Sequence, residues 1–377
     1  MPETSGPWTG KSLGKYEIGP LVGQGGMADV YKGRHADLER DVAVKLIHPH
    51  LTSREGFVDR FRREGVSLAK LRHPNIVHVY DSGNQEGVYF LVMEYIDGPT
   101  LADRMAVLHD GQGSYPVREA VVLLITLCGA LEYAHRENMI HRDVKPGNVM
   151  FNSRDLPILT DFGLVKMIGS TLNTVSGTVL GSPMYMSPEQ AYGKQGDARS
   201  DIYSLGVMLF ELIAGKPPFD GDTPLSIIMK HVNEPLPTAR SINPDVPEML
   251  DVIVGKATTK DPAGRYQNCG EFAAALQVGL SAVGVQQAIS TMQAASPAPA
   301  AVEKTLALDF LPGVLTQVLG PFGAIMDWSR IVRGMGEDPK AFPGRRIPEL
   351  LTRLETQYRI TDADKRADIR RLVEGRL

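Results

Sequence analysis

The first hundred residues alternate between short apolar runs and polar turns. Residues 16–22, 28–35, 40–47 and 88–95 read as strands, with glycines and charged residues between them. One segment breaks that period. Phe57, Phe61, Leu68 and Leu71 recur at helical spacing, and Thr52-Ser53-Arg54-Glu55 has the form of a capping box ahead of them. Glu64 lies three residues after Phe61 and four before Leu68, on the buried-facing side. A carboxylate there needs a cationic partner. Beyond Asp97-Gly98 the period becomes helical. Residues 118–138 form a long, strongly apolar helix, and 200–214, 245–258 and 268–280 follow as further helices. At 281–301 the chain turns to Ala, Ser, Gln and Pro, a semi-extended linker composition. Residues 305–377 then make a second unit. Within it, 347–358 and 361–372 are amphipathic helices, with Thr361 and Asp362 as N-cap candidates for the latter. No internal repeat is visible.

Composition narrows the class. The 377 residues are 43% hydrophobic and 22% charged, which suits a folded protein of one large or several ordinary domains. A net charge of −4 gives no overall field toward nucleic acid or a membrane surface, so neither is an expected partner. Residues 1–12 are polar, without the apolar core of a signal peptide, and read as a flexible N-terminus. The longest uncharged run, 310–326, holds Pro312, Gly313, Gly320, Pro321 and Gly323 and is short for a bilayer span; a packed helical pair is the expectation. Cys128 and Cys269 each fall inside an expected helix and read as buried thiols of a reducing compartment. A cytoplasmic location follows from these features.

The candidate chemistry sits in four strings. Gly23-Gln24-Gly25-Gly26-Met27-Ala28-Asp29-Val30 lies between two strands, and Val42-Ala43-Val44-Lys45 follows. His141-Arg142-Asp143-Val144-Lys145-Pro146-Gly147-Asn148 packs a candidate base, cations and a metal ligand together, and Asp161-Phe162-Gly163 adds a second ligand. Each string alone is weak. A lone glycine loop is common, and here Ala28 replaces its third glycine. A strand-end lysine is most often just solvated. Their order and spacing together resemble the bacterial eukaryotic-like (Hanks-type) serine/threonine protein kinases. The resemblance covers residues 13–280.

That resemblance implies an α+β, bilobal protein-kinase fold with a small helical C-terminal domain. The N-lobe is 13–93, the hinge 94–97, the C-lobe 98–280 and the linker 281–304. It implies phosphoryl transfer from ATP to Ser or Thr hydroxyls of protein substrates in bacterial signalling, with Mg²⁺ as the ion and Mn²⁺ as an alternative. Val22, Gly23, Gln24, Gly25, Gly26, Met27, Ala28, Asp29 and Val30 would cover the phosphates. Lys45 would contact them and pair with Glu64. Met93 is the gatekeeper, and backbone groups of Glu94 and Ile96 would meet the adenine. Asp143 is the expected catalytic base, Lys145 steadies the γ-phosphate, and Asn148 and Asp161 supply oxygens to the metal. Asp201 would brace the catalytic loop. Arg265 would pair with Glu189 of Ser187-Pro188-Glu189, where the family has Ala-Pro-Glu.

The segment 164–187 is the expected activation loop, and Thr171, Thr174, Ser176, Thr178 and Ser182 lie in it. Thr174, Ser176 and Thr178 are the expected autophosphorylation sites, read out by Arg142, and Ser182 is given a structural role. Self-association through the N-lobe belongs to the same expectation. For 305–377 two readings stay open, a docking or dimerisation module and an extension packed on the kinase lobe. A non-catalytic scaffold of the same fold is disfavoured by the presence of Lys45, Asp143, Asn148 and Asp161. A dinucleotide oxidoreductase needs a helix after the glycine loop, where a strand follows, and no P-loop string occurs.

Overall fold

The computed structural model describes residues 4–53, 55–110, 113–162, 183–293 and 305–374, the last stretch with breaks at 307, 309, 320–327, 339, 341, 344–345, 359 and 361. The chain divides into two compact units, Met1–Val283 and Gly284–Leu377.

The first unit opens on a six-stranded sheet. Its strands are β1 (Ser12–Leu13), β2 (Tyr16–Gln24), β3 (Ala28–His35), β4 (Arg40–Ile47), β5 (Val79–Gln85) and β6 (Val88–Glu94), in the spatial order β1-β2-β3-β4-β6-β5. Every pairing is antiparallel. Tyr31, Val42, Val44 and Val92 are fully buried in its apolar layer. Lys45 lies opposite Val30 on β3 and Leu91 on β6, deep in the sheet.

Two expectations need correction here. Residues 4–12 are not a free leader, because their backbone is hydrogen-bonded along the outer edge of β2. An uncovered β2 would present unpaired N–H and C=O groups to solvent, and this segment covers them. The capping box is also absent. Helix α1 (Pro49–Thr52) comes first, and the longer α2 (Phe57–Lys70) starts from Gly56 at φ +68, with no side-chain cap. The Thr52 and Ser53 hydroxyls donate backward to the carbonyls of Pro49 and His50 instead. Such local bonds compete with capping the next helix. Phe57, Phe61, Glu64 and Leu68 do share the buried face of α2.

After the hinge the chain is mainly helical: α3 (Leu101–Asp110), α4 (Val117–Arg136), then Pro188–Ala191, Ala198–Ala214, Pro224–Asn233, Glu248–Ala257 and Cys269–Gln293. The helix Ala198–Ala214 is buried along its length from Ser200 and packs against α4. Between them lies the hairpin of β7 (Val149–Phe151) and β8 (Pro157–Leu159). The last helix runs past Leu280 into the expected linker and ends at Gln293. Ala, Gln, Ile and Met are sound helix formers, and the first proline of that stretch comes only at Pro297.

Gly98 joins the two lobes. A Cβ built on it would lie 1.9 Å from the Phe151 carbonyl oxygen, so only glycine lets the hinge pass so close to β7. Gly98→Ala should therefore lower the unfolding free energy of the first unit by at least about 2 kcal/mol, read by urea denaturation. A loss within experimental error would show that the hinge shifts freely.

The second unit has its own core, in which Leu308, Leu311, Leu315, Val332, Phe342 and Leu351 are buried. Its strands Thr305–Leu306 and Phe342–Pro343 pair antiparallel. The helices Ile347–Gln357 and Ala363–Glu374 stand where periodicity predicts them. Asp362 accepts from the N–H groups of Asp364 and Lys365, as an N-cap does; Thr361 lies outside the described residues. Of the expected helical pair in 310–326, Leu311–Leu319 is helical and 320–327 lies outside the described residues. No helix among the described residues is long and apolar enough to cross a membrane.

Candidate active site

The loop 141–148 hangs from one buried carboxylate. Asp201 Oδ2 accepts from the His141 N–H at 2.9 Å and Oδ1 from the Arg142 N–H at 2.8 Å. His135 Nε2 donates to Oδ2 at 2.7 Å. Burial works against the charge on Asp201, but the His135 hydrogen bond, the charge of His135 and the Arg142 N–H outweigh it and hold the carboxyl below its ordinary range. Burial likewise opposes the charge on His135, yet the bonds to Asp201 and Cys269 push its pKa up to about 10. His135 is thus an imidazolium facing a carboxylate.

His141, fully buried, fixes the loop from inside. Its Nε2–H donates to the Thr160 carbonyl at 2.8 Å, and its Nδ1 accepts from the Asp143 N–H at 3.2 Å. These partners set the neutral tautomer. Its ring packs 4.5 Å from that of Phe162. The next turn folds back on Asp143. Asn148 Nδ2 donates to the Asp143 carbonyl at 2.7 Å and to its Oδ2 at 3.1 Å. Lys145 Nζ stands 2.7 Å from the same Oδ2. Thr160 N–H donates to the Asn148 carbonyl at 2.8 Å, which ties this loop to the segment ending in Asp161 and Phe162.

Asp161 sits at φ +68, a left-handed position that a short carboxylate side chain tolerates. Its Oδ1 is 2.8 Å from Lys45 Nζ. Burial raises its pKa, but the charge and hydrogen bond of Lys45 and the charge of Lys145 bring it below the ordinary value, so it stays ionised. Among the described residues no ion pair joins Lys45 to Glu64. Glu64 is buried on α2, and its charge reaches the Arg142 guanidinium. The pairing that the resemblance implied is therefore replaced here by Lys45 with Asp161.

The backbone of the hinge and of the glycine hairpin has unclaimed groups. Glu94 N–H is taken by the His78 carbonyl at 2.8 Å, leaving Glu94 its carbonyl for a ligand. Ile96 is buried, yet among the described residues neither its N–H nor its carbonyl makes a backbone hydrogen bond. Val22–Val30 spans the β2–β3 hairpin, closed by Gly25 N–H to Ala28 carbonyl at 3.0 Å. None of its glycines has a positive φ, and a Cβ on Gly26 would meet nothing within 4 Å. The fold itself does not demand glycine there. Close approach of a ligand would.

For a metal, the donors present are hard oxygens. Asn148 uses its amide nitrogen on Asp143, so its Oδ1 is left over, and Asp161 offers a charged carboxylate. This set fits Mg²⁺ better than a soft ion.

A second buried pair anchors the segment that follows 164–182. Arg265 is 2% exposed and makes a two-pronged bond to Glu189, 2.8 Å on each prong. Burial raises the Glu189 pKa, but Arg265 and the 2.6 Å bond from the Ser200 hydroxyl hold it below the ordinary range. Ser187, where the resembling family has alanine, has its N–H and hydroxyl on Gln190 Oε1, and Gln190 Nε2 donates to the Arg142 carbonyl at 2.9 Å. The departure at Ser187 thus links the loop end to the catalytic loop. Arg142 itself bonds the Gln195 carbonyl at 3.0 Å. Gly163, Thr171, Thr174, Ser176, Thr178 and Ser182 lie outside the described residues.

Three participants had no sequence signal: His135, Gln190 and Cys269. The Cys269 thiol lies 3.8 Å from His135 Nδ1 and is hydrogen-bonded to Cys128; that bond and burial push its pKa well up, so it stays a thiol. Both cysteines are buried, as expected.

Comparison with known proteins agrees with this geometry. The protein kinase domain family matches residues 16–274. The serine/threonine-protein kinase PrkC of Bacillus subtilis is 38% identical over 280 residues, covering 74% of this chain and 43% of PrkC. The serine/threonine-protein kinase PknB of Mycolicibacterium smegmatis is 43% identical over 269 residues, covering 70% of this chain and 42% of PknB. The chain thus spans about two fifths of the length of these curated relatives. Among solved structures, the Mycobacterium tuberculosis PknI kinase domain superposes with a TM-score of 0.58 at 30% identity, covering 72% of this chain and 98% of that one. With its β-sheet lobe, helical lobe, ordered motifs and relatives in agreement, the chain belongs to the protein kinase domain family, among the bacterial Hanks-type serine/threonine kinases.

Proposed function

We propose that this chain is an ATP-dependent protein kinase that phosphorylates Ser and Thr hydroxyls, its own loop among them. The observation that carries the reading is the convergence of Asp143, Lys145 and Asn148 on one hydrogen-bonded turn tied to Asp161 and Lys45. ATP bound with Mg²⁺, or Mn²⁺ in its place, supplies the transferable phosphoryl group and screens its charge. Asn148 and Asp161 are the residues to hold the ion. The chain's own residues do the rest. Asp143 accepts the hydrogen bond of the incoming hydroxyl, aims its oxygen and takes its proton as the new O–P bond forms, the bond to the β-phosphate breaks and ADP leaves. Lys145, beside Asp143, places a positive charge where the transferred group's negative charge gathers. Lys45 binds phosphate oxygens under the 22–30 hairpin, and the Glu94 carbonyl and Ile96 backbone meet the adenine edge.

A cytoplasmic setting suits a site that consumes ATP beside two unoxidised thiols. Phosphorylation of one copy by another requires a transient encounter, for which the N-lobe is the proposed face. The separate core of 305–377 supports its reading as a module that docks a protein partner.

The test is incubation of the purified chain with radiolabelled ATP and Mg²⁺, beside Lys45→Met, followed by phosphopeptide mapping. Label on Thr174, Ser176 or Thr178 in the wild type alone is the expected result. Folded protein that binds ATP but labels neither itself nor a generic Ser/Thr substrate would overturn the reading.

A further inference from the structure

The edge of β2 that faces away from β3 is occupied by residues 4–13. Thr4 N–H donates to the Leu21 carbonyl at 3.4 Å, and Leu21 N–H returns to the Thr4 carbonyl at 2.8 Å. Further along, Gly10 N–H reaches the Ile18 carbonyl and Ile18 N–H the Lys11 carbonyl, each at 2.8 Å. Between these anchors the segment lies flat on the sheet. A Cβ on Gly6 would be 2.6 Å from the Tyr31 hydroxyl oxygen and 2.8 Å from its Cε1. Trp8 packs on the apolar layer of the sheet, with Lys11 Nζ 4.7 Å above its ring. The far end is tied down by Gly14 N–H to Gln85 Oε1 at 2.8 Å.

The position of Thr4 matters more than the number of bonds. The β2–β3 register shifts between Ile18 and Leu21, and again between Leu21 and Gly23. Leu21 lies opposite Tyr31 on β3, between two irregularities of the ladder. Its N–H and carbonyl face the outer edge, and both bond Thr4. Two residues later the chain enters Gly23-Gln24-Gly25-Gly26, whose glycines give it no stiffness of its own.

We propose that residues 4–13 are a strap that positions the nucleotide-binding hairpin 22–30 by clamping Leu21, with Thr4 and Gly6 as positioning residues. This rests on the reading of that hairpin as the ATP phosphate cover. Lifting the strap leaves the catalytic loop untouched, because every contact just described lies within the sheet lobe. The hairpin then samples more conformations, and ATP binding has to restrict them. The consequence falls on ATP affinity rather than on turnover.

Gly6→Val in the full chain tests it, since the added side chain cannot fit against Tyr31. Amide exchange at residues 21–30 should quicken by about tenfold as the segment opens locally. The KM for ATP should rise by about threefold or more while kcat stays within about twofold. A chain lacking residues 1–10 provides the second variant and should behave alike. Unchanged exchange at 21–30 in the truncated chain overturns the strap. Faster exchange with an unchanged KM, or a loss confined to kcat, overturns its positioning role. If the wild type itself fails to phosphorylate, the kinase reading falls, and the exchange measurement still decides the strap.

Discussion

Asp143→Asn should lower kcat for phosphoryl transfer by about 10²- to 10⁴-fold, with fold and ATP affinity retained. The substitution is nearly isosteric, and the surroundings accommodate it. Asn148 Nδ2 and Lys145 Nζ both donate to Asp143 Oδ2. An amide oxygen at that place can accept from both, with its NH₂ turned to the Oδ1 side. The loop backbone stays fixed, because it is held by Asp201 and His141 rather than by the Asp143 side chain. What disappears is the carboxylate's ability to take a proton and to hold an incoming hydroxyl in line. Lys145 loses its charged neighbour too, but its ammonium remains beside residue 143. A steady-state assay on a Ser/Thr peptide, paired with ATP binding by calorimetry, checks this. Activity within about threefold of wild type would remove Asp143 from the base role and point to the phosphate itself as proton acceptor.

How much of this was legible in the sequence follows from where each signal resides. Asp143, Asn148 and Asp161 stand in short strings whose spacing is set by one tight turn and one hairpin, so local sequence carries them. The same holds for the strands, where a period of two places alternate side chains on one apolar layer. Long-range partners leave no such trace. His135 reads as one polar residue on an apolar helix, the kind usually satisfied by chance neighbours. Its value lies in a carboxylate 66 positions away, which meets it because α4 packs on the helix Ala198–Ala214. Gln190 is equally silent, although Ser187 offered a hint, since a hydroxyl in a buried position usually has a partner. The Lys45–Glu64 pairing came from resemblance, and it would join two separate elements, β4 and α2. With Asp161 at 2.8 Å from Lys45, the ammonium is satisfied without Glu64. The N-terminal segment misled for a compositional reason. Polar, glycine-rich residues mark loops, but their backbone groups can still complete a sheet edge.

The largest structural effect should come from Arg265→Ala, which is expected to cost the kinase unit about 3–5 kcal/mol. The guanidinium is sealed from solvent and its donors are fully used. Besides the two bonds to Glu189, its Nε donates to the Thr259 carbonyl at 2.7 Å, and its terminal nitrogens donate to the carbonyls of Arg199 and Lys260 at 2.9 Å each. Truncation strands a mostly buried carboxylate and three backbone acceptors at once. Glu189 keeps only the Ser200 hydroxyl and its helix N-terminal position. That distinguishes this pair from simple buried ion pairs, which apolar residues can replace at little cost. Glu189→Leu combined with Arg265→Met removes both charges, yet the Thr259, Arg199 and Lys260 carbonyls remain without donors. The double variant should therefore recover less than half of the loss, each orphaned acceptor still costing about 1 kcal/mol or more. Amide exchange in the helix Ala198–Ala214 reads the opening free energy of the kinase unit apart from the second unit. Recovery to within about 1 kcal/mol of wild type would assign the stability to the ion pair alone. Partial recovery would show that Arg265 works chiefly as a five-donor clamp, holding the turn at 259–260 and the start of the buried helix against the segment that carries Glu189.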